Sequence, residues 1–195
     1  MGIGGGREMV YRWYLMWGEK MELRILDAIQ RLHNPVLDWF MCFITGFGNF
    51  GVFWLLVAVV LMVIPRTRRI GVTVFIGLLL CGLLCDGILK NLAARPRPCD
   101  VNKTVHMLVA RPFGWSFPSG HSASSFTLAS AVWFSGRRKA GGALFVFAAL
   151  IGFSRLYLYV HYPSDVLCGV LSAPSAQIRV CIWRQGRKRF ADETY

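Results

Sequence analysis

One apolar run decides the fold of this chain. Residues 70–89 read IGVTVFIGLLLCGLLCDGIL, and Asp86 is the only charged side chain among them. An α-helix of about 20 apolar residues is long enough to cross the hydrocarbon core of a bilayer. The run therefore predicts a membrane-spanning helix over Ile70–Leu89.

The composition extends this interpretation to the whole chain. The 195 residues are 55% hydrophobic and 16% charged, whereas soluble domains carry about 25% charged residues. The formal net charge of +12 lies in short basic clusters between apolar runs, a pattern typical of membrane proteins and not of a nucleic-acid-binding surface. The composition excludes a soluble globule and intrinsic disorder, and it predicts an all-α, polytopic membrane protein without a nucleic-acid partner.

Other apolar segments flank the first run on both sides and complete a predicted bundle of about six transmembrane helices. The remaining spans are predicted at Leu23–Thr45, Phe50–Ile64, Gly120–Phe134, Gly141–Val160 and from about Ser164 onward. The last of these turns polar after Gly169, so whether it forms a full transmembrane helix stays open.

Basic clusters set the orientation of the bundle. With six spans, the N-terminus, the turn Arg66–Arg69, the turn Arg137–Lys139 and the tail all lie on one side. The positive-inside rule makes that side cytoplasmic. We therefore predict a multi-pass protein of the cell membrane in which the helix ends after Leu89 and Val160 face outside.

The whole chain, 1–195, is predicted to be one membrane-integral domain. Residues 1–20 form an N-terminal extension, and Met21 is an alternative start. Residues 90–118 contain four prolines and are too polar to cross a bilayer, so they form an extracytoplasmic loop. Residues 184–195 form a cytoplasmic tail.

Three polar stretches lie at the predicted outward helix ends, and each carries groups that bind or attack phosphate. The first, KNLAARPRP, begins at Lys90 and holds Arg97 in a proline-stiffened segment. Arg offers a fork of donors to phosphate oxygens, and Lys a compact charge. The second, PSGH, opens the fourth span. Ser119 and Gly120 start a helix whose N–H groups attract an anion, and His121 beside them can donate a proton.

The third stretch, from Ser154 to Asp165, holds Arg155 and a histidine–aspartate pair. Asp165 follows His161 by four residues, close enough to accept a hydrogen bond from one ring nitrogen. The other nitrogen is then available as a nucleophile. The three stretches together place the predicted active site at the extracytoplasmic helix ends.

Each stretch by itself also fits a structural role. Cations such as Lys90 and Arg97 anchor helix ends at a membrane interface, Ser119 caps a helix, and a contact of His161 with an aspartate can be purely structural. We expect Asp86, one turn before Lys90, to pair with that lysine rather than to take part in chemistry.

Read in chain order, the stretches give K-x-x-x-x-x-x-R-P, P-S-G-H and S-R-x-x-x-x-x-H-x-x-x-D, with every signature position filled between Lys90 and Asp165. With this pattern the chain resembles the type 2 phosphatidic acid phosphatase family of membrane lipid phosphatases. The resemblance implies a six-helix bundle and a metal-independent mechanism without a cofactor.

The resemblance also implies a role for each residue of the pattern. His161 attacks phosphorus and forms a phosphohistidine, Asp165 orients and charge-stabilises it, and His121 protonates the leaving group and then activates water. The phosphoryl oxygens are held by Lys90, Arg97, Ser119, Gly120 and Arg155.

The residues themselves agree with a site that uses no metal. Phosphoryl transfer needs positioning and charge neutralisation, which fixed cations and a helix N-terminus provide. The outward face offers the carboxylates of Asp86, Asp100 and Asp165, too few for a two-metal clamp. The Cys81–Cys85 interval has no second pair or histidine at zinc spacing.

The expected substrate is a lipid phosphate taken from the surrounding membrane lipids. Trp115, Tyr157, Tyr159 and Tyr162 are predicted to ring the site at the bilayer surface, where a phosphate head group lies. The resemblance to small bacterial members favours undecaprenyl diphosphate, with phosphatidylglycerophosphate or phosphatidic acid as alternatives.

An alternative of another class is a non-catalytic bundle that binds or transports a lipid phosphate. Such a bundle needs cations but neither a nucleophile nor an acid, so His121, His161 and Asp165 argue against it. Whether the loop residues Lys103, His106 and Arg111 select the head group stays open, as does the oligomeric state.

Overall fold

The computed structural model describes residues 18–48 and 51–173, and these ranges contain helices and connecting turns but no strand. The helices are α1 (18–30), α2 (Pro35–Gly46), α3 (Val52–Val63), α4 (Arg68–Cys81), a π-helical segment (Gly82–Leu89), α5 (Lys90–Ala93), α6 (Pro98–Val101), α7 (Gly120–Phe134), α8 (Arg138–Tyr157) and α9 (Pro163–Ala173).

The predicted first span, Leu23–Thr45, is wrong as a single helix. The chain leaves the helical conformation after residue 30 and starts α2 afresh at Pro35. Asn34 caps the new helix, because its side-chain oxygen accepts a hydrogen bond from the N–H of Leu37 at 3.0 Å. A capping Asn followed by Pro at the first helical position is a strong start signal, and it separates α1 from α2.

The predicted run Ile70–Leu89 lies in one long helical segment made of α4, the π-helical segment and α5. Consequently, the predicted loop 90–118 is partly helical: Lys90 opens α5, and Pro98–Val101 forms α6. The helix ends only at Ala94, which has a left-handed backbone with φ of 43°. The sequence did not predict the extra turn of α5, because the polar residues after Leu89 indicate contact with solvent but do not mark where the helix ends.

The other predicted helices are found with small shifts in their limits. Helix α7 covers Gly120–Phe134, as predicted. Helix α8 begins earlier and ends earlier than Gly141–Val160, since basic residues form its first turn and the chain turns at Tyr159, where φ is 58°. Helix α3 lies within Phe50–Ile64, and α9 starts at Pro163. Three parts of the prediction lie outside the described residues. They are residues 1–17 of the predicted extension, the part of the predicted sixth span from Pro174 onward, and the tail 184–195.

Helix α7 forms the centre of the bundle and packs most extensively against α8 and α4. Most of its buried side chains are small, and several of their hydroxyls bond to the preceding turn: Ser125 Oγ, for example, donates to the carbonyl of His121 at 2.8 Å. Small residues let helices approach closely, as they do in membrane bundles. Away from the site, the core continues through an apolar cluster that includes Trp54, Val74, Leu128 and Ile151.

The outer faces of the helices are apolar. Large exposed hydrophobic side chains include Leu56, Val60, Val63, Leu79, Leu83, Phe134, Val146 and Leu171. Two stretches, Arg68–Val101 and Arg138–Tyr157, have the length and hydropathy of a membrane span. Because a helix rises about 1.5 Å per residue, α8 with its 20 residues matches a hydrocarbon core of about 30 Å. Apolar outer faces around an interior that also buries polar and charged side chains are the arrangement expected in lipid.

Candidate active site

The centre of the site is the buried pair His161 and Asp165, at the turn between α8 and α9. His161 is 2% exposed and Asp165 is fully buried. Their closest atoms, Nδ1 and Oδ2, are 3.6 Å apart, an ion-pair distance slightly longer than a hydrogen bond. The hydroxyl of Ser116 bridges the gap: it lies 3.5 Å from Nδ1 of His161 and donates a hydrogen bond to Oδ2 of Asp165.

The carboxylate of Asp165 is fixed from several sides. It lies in the first turn of α9, where the positive end of the helix dipole stabilises an anion. Its Oδ2 accepts a hydrogen bond from the backbone N–H of Tyr162 at 2.9 Å. Its Oδ1 accepts from Arg95 Nη1 at 2.8 Å. A carboxylate held in this way keeps its charge and its direction toward His161.

Burial keeps the His161 ring neutral. Desolvation lowers the pKa of His161 to about 4, with Arg155 and Arg97 adding to the decrease while Asp165 opposes it. The neighbouring carboxylate and hydroxyl favour the tautomer with the proton on Nδ1. Nε2 then carries a lone pair at neutral pH, which is what a nucleophile requires.

Arg97 lies against this second ring nitrogen of His161. Its Nη1 is 3.3 Å from Nε2 of His161. Backbone carbonyls hold the guanidinium, since Nη1 donates to Val160 at 3.0 Å, Nε to Gly114 at 3.0 Å and Nη2 to Phe113 at 3.2 Å. The side chain is 3% exposed. The positive charge beside Nε2 of His161 is therefore rigidly placed.

Arg155 supplies a second buried guanidinium, 5% exposed, in the last turn of α8. Its Nη1 donates to Thr45 Oγ1 at 2.5 Å. Its Nε is buried and has no hydrogen-bond partner among the described residues. The Val160 N–H donates to the carbonyl of Arg155 at 3.2 Å. Because the Val160 carbonyl binds Arg97, one peptide segment connects the two arginines.

The start of α7 joins this cluster through Ser119. The Ser119 N–H donates to the carbonyl of Asp165 at 3.0 Å, and its hydroxyl accepts from the N–H of Ser122 at 3.4 Å as the helix cap. Gly169 makes this contact possible, since a Cβ there would lie 2.7 Å from the Ser119 carbonyl oxygen. The N-terminus of α7, a favourable place for an anion, is thereby fixed beside Asp165.

Lys90 is next to this helix start. Its Nζ forms an ion pair with Asp86 at 2.5 Å, which confirms the predicted pairing one helical turn apart. Asp86 in turn borders Gly120, where a Cβ would lie 3.3 Å from Oδ1. His121 follows directly, and its ring stands against the turn after α2: a Cβ on Gly48 would come within 2.3 Å of its Cδ2.

Sequence reasoning missed Arg95, Ser116 and Glu22. Arg95 donates to Asp165 and to Ser164 Oγ at 2.7 Å, pairs with Glu22, and lies 3.8 Å over the ring of Tyr162. The signal that was available is the doubled Arg-Pro in RPRP, which offers two arginines. Nothing in the sequence marks Ser116 or Glu22, because their roles depend on contacts between residues far apart in the chain.

The predicted aromatic ring around the site is wrong for its three tyrosines. Tyr157, Tyr159 and Tyr162 are 0%, 1% and 0% exposed. Tyr157 and Tyr159 pack inward because carboxylates of α2 and α1 accept their hydroxyls, whereas the buried hydroxyl of Tyr162 has no hydrogen-bond partner among the described residues. The hydroxyl of Tyr159 donates to Asp27 at 2.7 Å. Trp115 remains exposed at 41%.

The loop cations differ in their surroundings. Arg111 donates to the carbonyl of Cys99 at 2.7 Å and pairs with Asp100 at 3.6 Å, so it stabilises its own loop. Lys103 and His106 are exposed. Within residues 18–48 and 51–173, no group of three His, Cys, Asp or Glu side chains is arranged to hold a metal ion.

Together with the family match and the relatives that follow, the fold and this cluster define the class of protein: a phosphatase that acts on lipid phosphates. The chain belongs to the PAP2 superfamily, whose profile matches residues 70–189. The match includes every residue of the predicted site.

Relatives of known name extend this finding. The chain is 34% identical over 156 residues to the undecaprenyl-diphosphatase BcrC of Bacillus subtilis, covering 78% of this chain and 79% of that protein. It is 30% identical over 160 residues to the undecaprenyl-diphosphatase of Sulfolobus acidocaldarius, covering 80% and 77%. The crystal structure of a transmembrane PAP2-type phosphatidylglycerolphosphate phosphatase from Bacillus subtilis superposes with a TM-score of 0.71 at 26% identity, covering 88% of each chain.

Proposed function

We propose that this protein hydrolyses undecaprenyl diphosphate to undecaprenyl phosphate and inorganic phosphate through a phosphohistidine on His161. The observation that carries the proposal is the state of that ring: buried, neutral, with Nδ1 toward Asp165 and Nε2 3.3 Å from the guanidinium of Arg97. A structural histidine does not need a fixed cation at its lone pair. A nucleophile that attacks phosphorus does, because the phosphoryl oxygens carry negative charge.

In the first step, Nε2 of His161 attacks the terminal phosphorus. The N–P bond forms while the P–O bond to the lipid-linked oxygen breaks, and His121 donates a proton to that oxygen. The imidazole becomes positively charged, and the Asp165 carboxylate stabilises this charge. Arg97 and Arg155 neutralise the phosphoryl oxygens, together with Lys90 and the N-terminus of α7 at Ser119 and Gly120.

In the second step, water attacks the phosphohistidine. His121, now deprotonated, accepts the proton of the water, and the N–P bond breaks to release phosphate. The enzyme returns to its starting state with no change in the number of protons on either histidine. These cations take over the neutralising task of a metal ion, so we expect turnover in the presence of a chelator.

The names of the relatives support undecaprenyl diphosphate as the proposed substrate. Two that cover more than three quarters of this chain are named undecaprenyl-diphosphatases. A phosphatidylglycerophosphate is the second candidate, because the superposed Bacillus subtilis structure is named for that substrate. Phosphatidic acid shares the same monophosphate chemistry.

We propose further that the chain is a single multi-pass domain of the cell membrane, with about six spans and the site facing outside. The exposed apolar faces of α2, α3, α4, α8 and α9 support several spans. The basic turns Arg66–Arg69 and Arg137–Lys139 lie at the helix ends opposite to His161, which supports an outward site by the positive-inside rule. Residues 184–195 would then be cytoplasmic.

The test is phosphate release by the purified protein in detergent with a chelator present. Undecaprenyl diphosphate, phosphatidylglycerophosphate and phosphatidic acid are compared at equal surface concentration, and we expect the diphosphate to give the highest kcat/KM. His161→Ala is expected to abolish release. Activity that survives this change excludes the phosphohistidine, and binding of the lipid without release by the wild type favours a non-catalytic binding bundle.

A further inference from the structure

Arg95 connects to the proposed catalytic pair in several ways. Its Nη1 donates to both Asp165 Oδ1 at 2.8 Å and Ser164 Oγ at 2.7 Å. Its carbonyl accepts the N–H of Ser116 at 2.9 Å, and the hydroxyl of Ser116 bridges His161 and Asp165. The guanidinium also lies over the ring of Tyr162, the neighbour of His161. One residue thus holds the carboxylate directly and the bridging serine through its backbone.

Glu22 of α1 holds Arg95 in turn. Its Oε2 pairs with Nη2 of Arg95, and both side chains are 17% exposed. Its Oε1 accepts the N–H of Ser164 at 2.7 Å, which caps the first turn of α9. Glu22 therefore supports Asp165 in two ways. It pairs with Arg95, which binds the carboxylate, and it caps the first turn of α9, which contains Asp165.

This geometry differs from that of an ordinary surface ion pair. Surface pairs contribute little because both partners are solvated, whereas here the chain of charges ends on a fully buried carboxylate. The neighbouring Glu19 provides the contrast. It lies 3.8 Å from Nε of Arg95 and is 39% exposed, so it resembles a surface pair.

We propose that Arg95 and Glu22 are positioning residues for the phosphatase reaction, and that α1 is therefore part of the active site. They hold Asp165 in the direction in which it stabilises the charged His161 ring. This inference rests on the proposed phosphohistidine mechanism, since Asp165 has this task only there. A mispositioned Asp165 slows the chemical step and leaves the affinity for the lipid phosphate unchanged.

The test compares kcat and KM for undecaprenyl diphosphate in wild type, Glu22→Gln, Arg95→Lys, Arg95→Ala and the control Glu19→Gln. Glu22→Gln keeps an oxygen for the Ser164 N–H and removes the charge that holds Arg95. We expect it to lower kcat about tenfold and Arg95→Ala about a hundredfold, with KM within about twofold, because displacement of a reacting group by about 1 Å costs on the order of a hundredfold in rate. Arg95→Lys should fall between wild type and Arg95→Ala, and Glu19→Gln should match wild type.

Two further measurements separate positioning from general damage to the fold. The double variant Glu22→Gln/Arg95→Ala should be no slower than Arg95→Ala alone, because the lost charge acts through the missing arginine. Low concentrations of guanidinium should restore part of the activity of Arg95→Ala and none to Asp165→Asn. If Arg95→Ala does not fold, Glu22→Gln and Arg95→Lys decide the question.

Wild-type kcat in Glu22→Gln and Arg95→Lys overturns the inference, as does a change confined to KM. Rapid quenching of the wild type with labelled lipid tests the proposed function separately. If no phosphohistidine forms on His161, the mechanism fails whatever the variants do. If it forms and the Glu22 and Arg95 variants form it at the wild-type rate, only the positioning inference fails.

Discussion

At the scale of single residues, burial sets the chemistry of His161. An exposed histidine is protonated below about pH 6.5 and loses its lone pair. Burial lowers the pKa of His161 to about 4, so the ring stays neutral well below that pH and keeps the lone pair that the proposed attack on phosphorus needs. The pKa shifts downward because desolvation disfavours the charged form of the imidazole ring. The same burial removes the need for a separate base to activate the ring.

We therefore expect phosphoenzyme formation to keep its rate as the pH falls from about 7 to about 5, with half of the rate lost only near the lowered pKa. The measurement is the single-turnover rate of labelled phosphohistidine formation across this range, after a check that the protein stays folded. A loss of half of the rate near pH 6.5 would mean that the ring is solvated in the working enzyme.

Asp165→Asn tests the partner of that ring. The carboxylate raises the pKa of His161 and opposes the effect of burial, so its removal should move the acid limb of the pH profile to still lower pH. It should also lower kcat about a hundredfold, the scale of losing one preorganised electrostatic contact in a transition state, and leave KM nearly unchanged. Steady-state kinetics at two pH values measure both effects. An effect on KM alone contradicts the assigned task.

At the scale of elements, the turn that follows α2 packs against His121. A Cβ on Gly48 would lie 2.3 Å from Cδ2 and 2.8 Å from Cγ of that ring, whereas a Cβ on Gly46 would meet nothing within 4 Å. Gly48→Ala should therefore push the ring of His121 away from its place.

With the proton donor displaced, we expect Gly48→Ala to lower kcat about tenfold to a hundredfold, within the usual range for general acid catalysis. Gly46→Ala, two residues away, serves as the matched control and should keep wild-type kcat. Thermal unfolding of both variants in detergent shows whether the fold is retained. Equal activity of the two variants would show that His121 tolerates displacement and is not the acid.

Helix elements with clear local signals could be predicted from the sequence. Ser119 at the cap and the apolar run behind it predicted α7 with the limits that the structure shows. The break between α1 and α2 was missed although Asn34 and Pro35 mark it, because the apolar residues on both sides suggested one span. The turn of α5 was missed because polar residues such as Lys90 and Asn91 predict exposure and carry no signal for where a helix ends.

The residues of the site also fall into two groups, those that could be predicted from the sequence and those that could not. The residues with a fixed spacing, such as His161 and Asp165 four apart, could be predicted from the chain alone. Arg95 and Glu22 could not, because Arg95 contacts Asp165 across 70 positions and Glu22 across 73. The tyrosines were misplaced for a related reason: a membrane aromatic is expected at the interface, and only the fold reveals that Asp27 supplies a partner for Tyr159 in the interior.

At the scale of the whole molecule, large apolar side chains lie on the outside as well as in the core, and charged groups are buried around the site. The hydroxyls of α7 and the charges around Asp165 are buried, while Leu79 in α4 is 54% exposed and Leu92 in α5 is 79% exposed. Water would disfavour this much exposed apolar surface, because the hydrophobic effect drives apolar surface inward. The bilayer proposed above would make this arrangement stable, and the cost of a charge on the outer surface would then depend on its depth in the bilayer.

A pair of substitutions tests this dependence on depth. Leu79 lies near the middle of the long segment formed by α4, the π-helical segment and α5, and Leu92 lies in its last turn. Leu79→Arg should destabilise the protein in the membrane by about 3 kcal/mol, the cost of a cation at the centre of a span. Leu92→Arg should cost little, because an arginine at a helix end reaches the interface. The measurement is the amount of folded protein in the membrane fraction at matched expression, and equal amounts for the two variants would place Leu79 outside the hydrocarbon core.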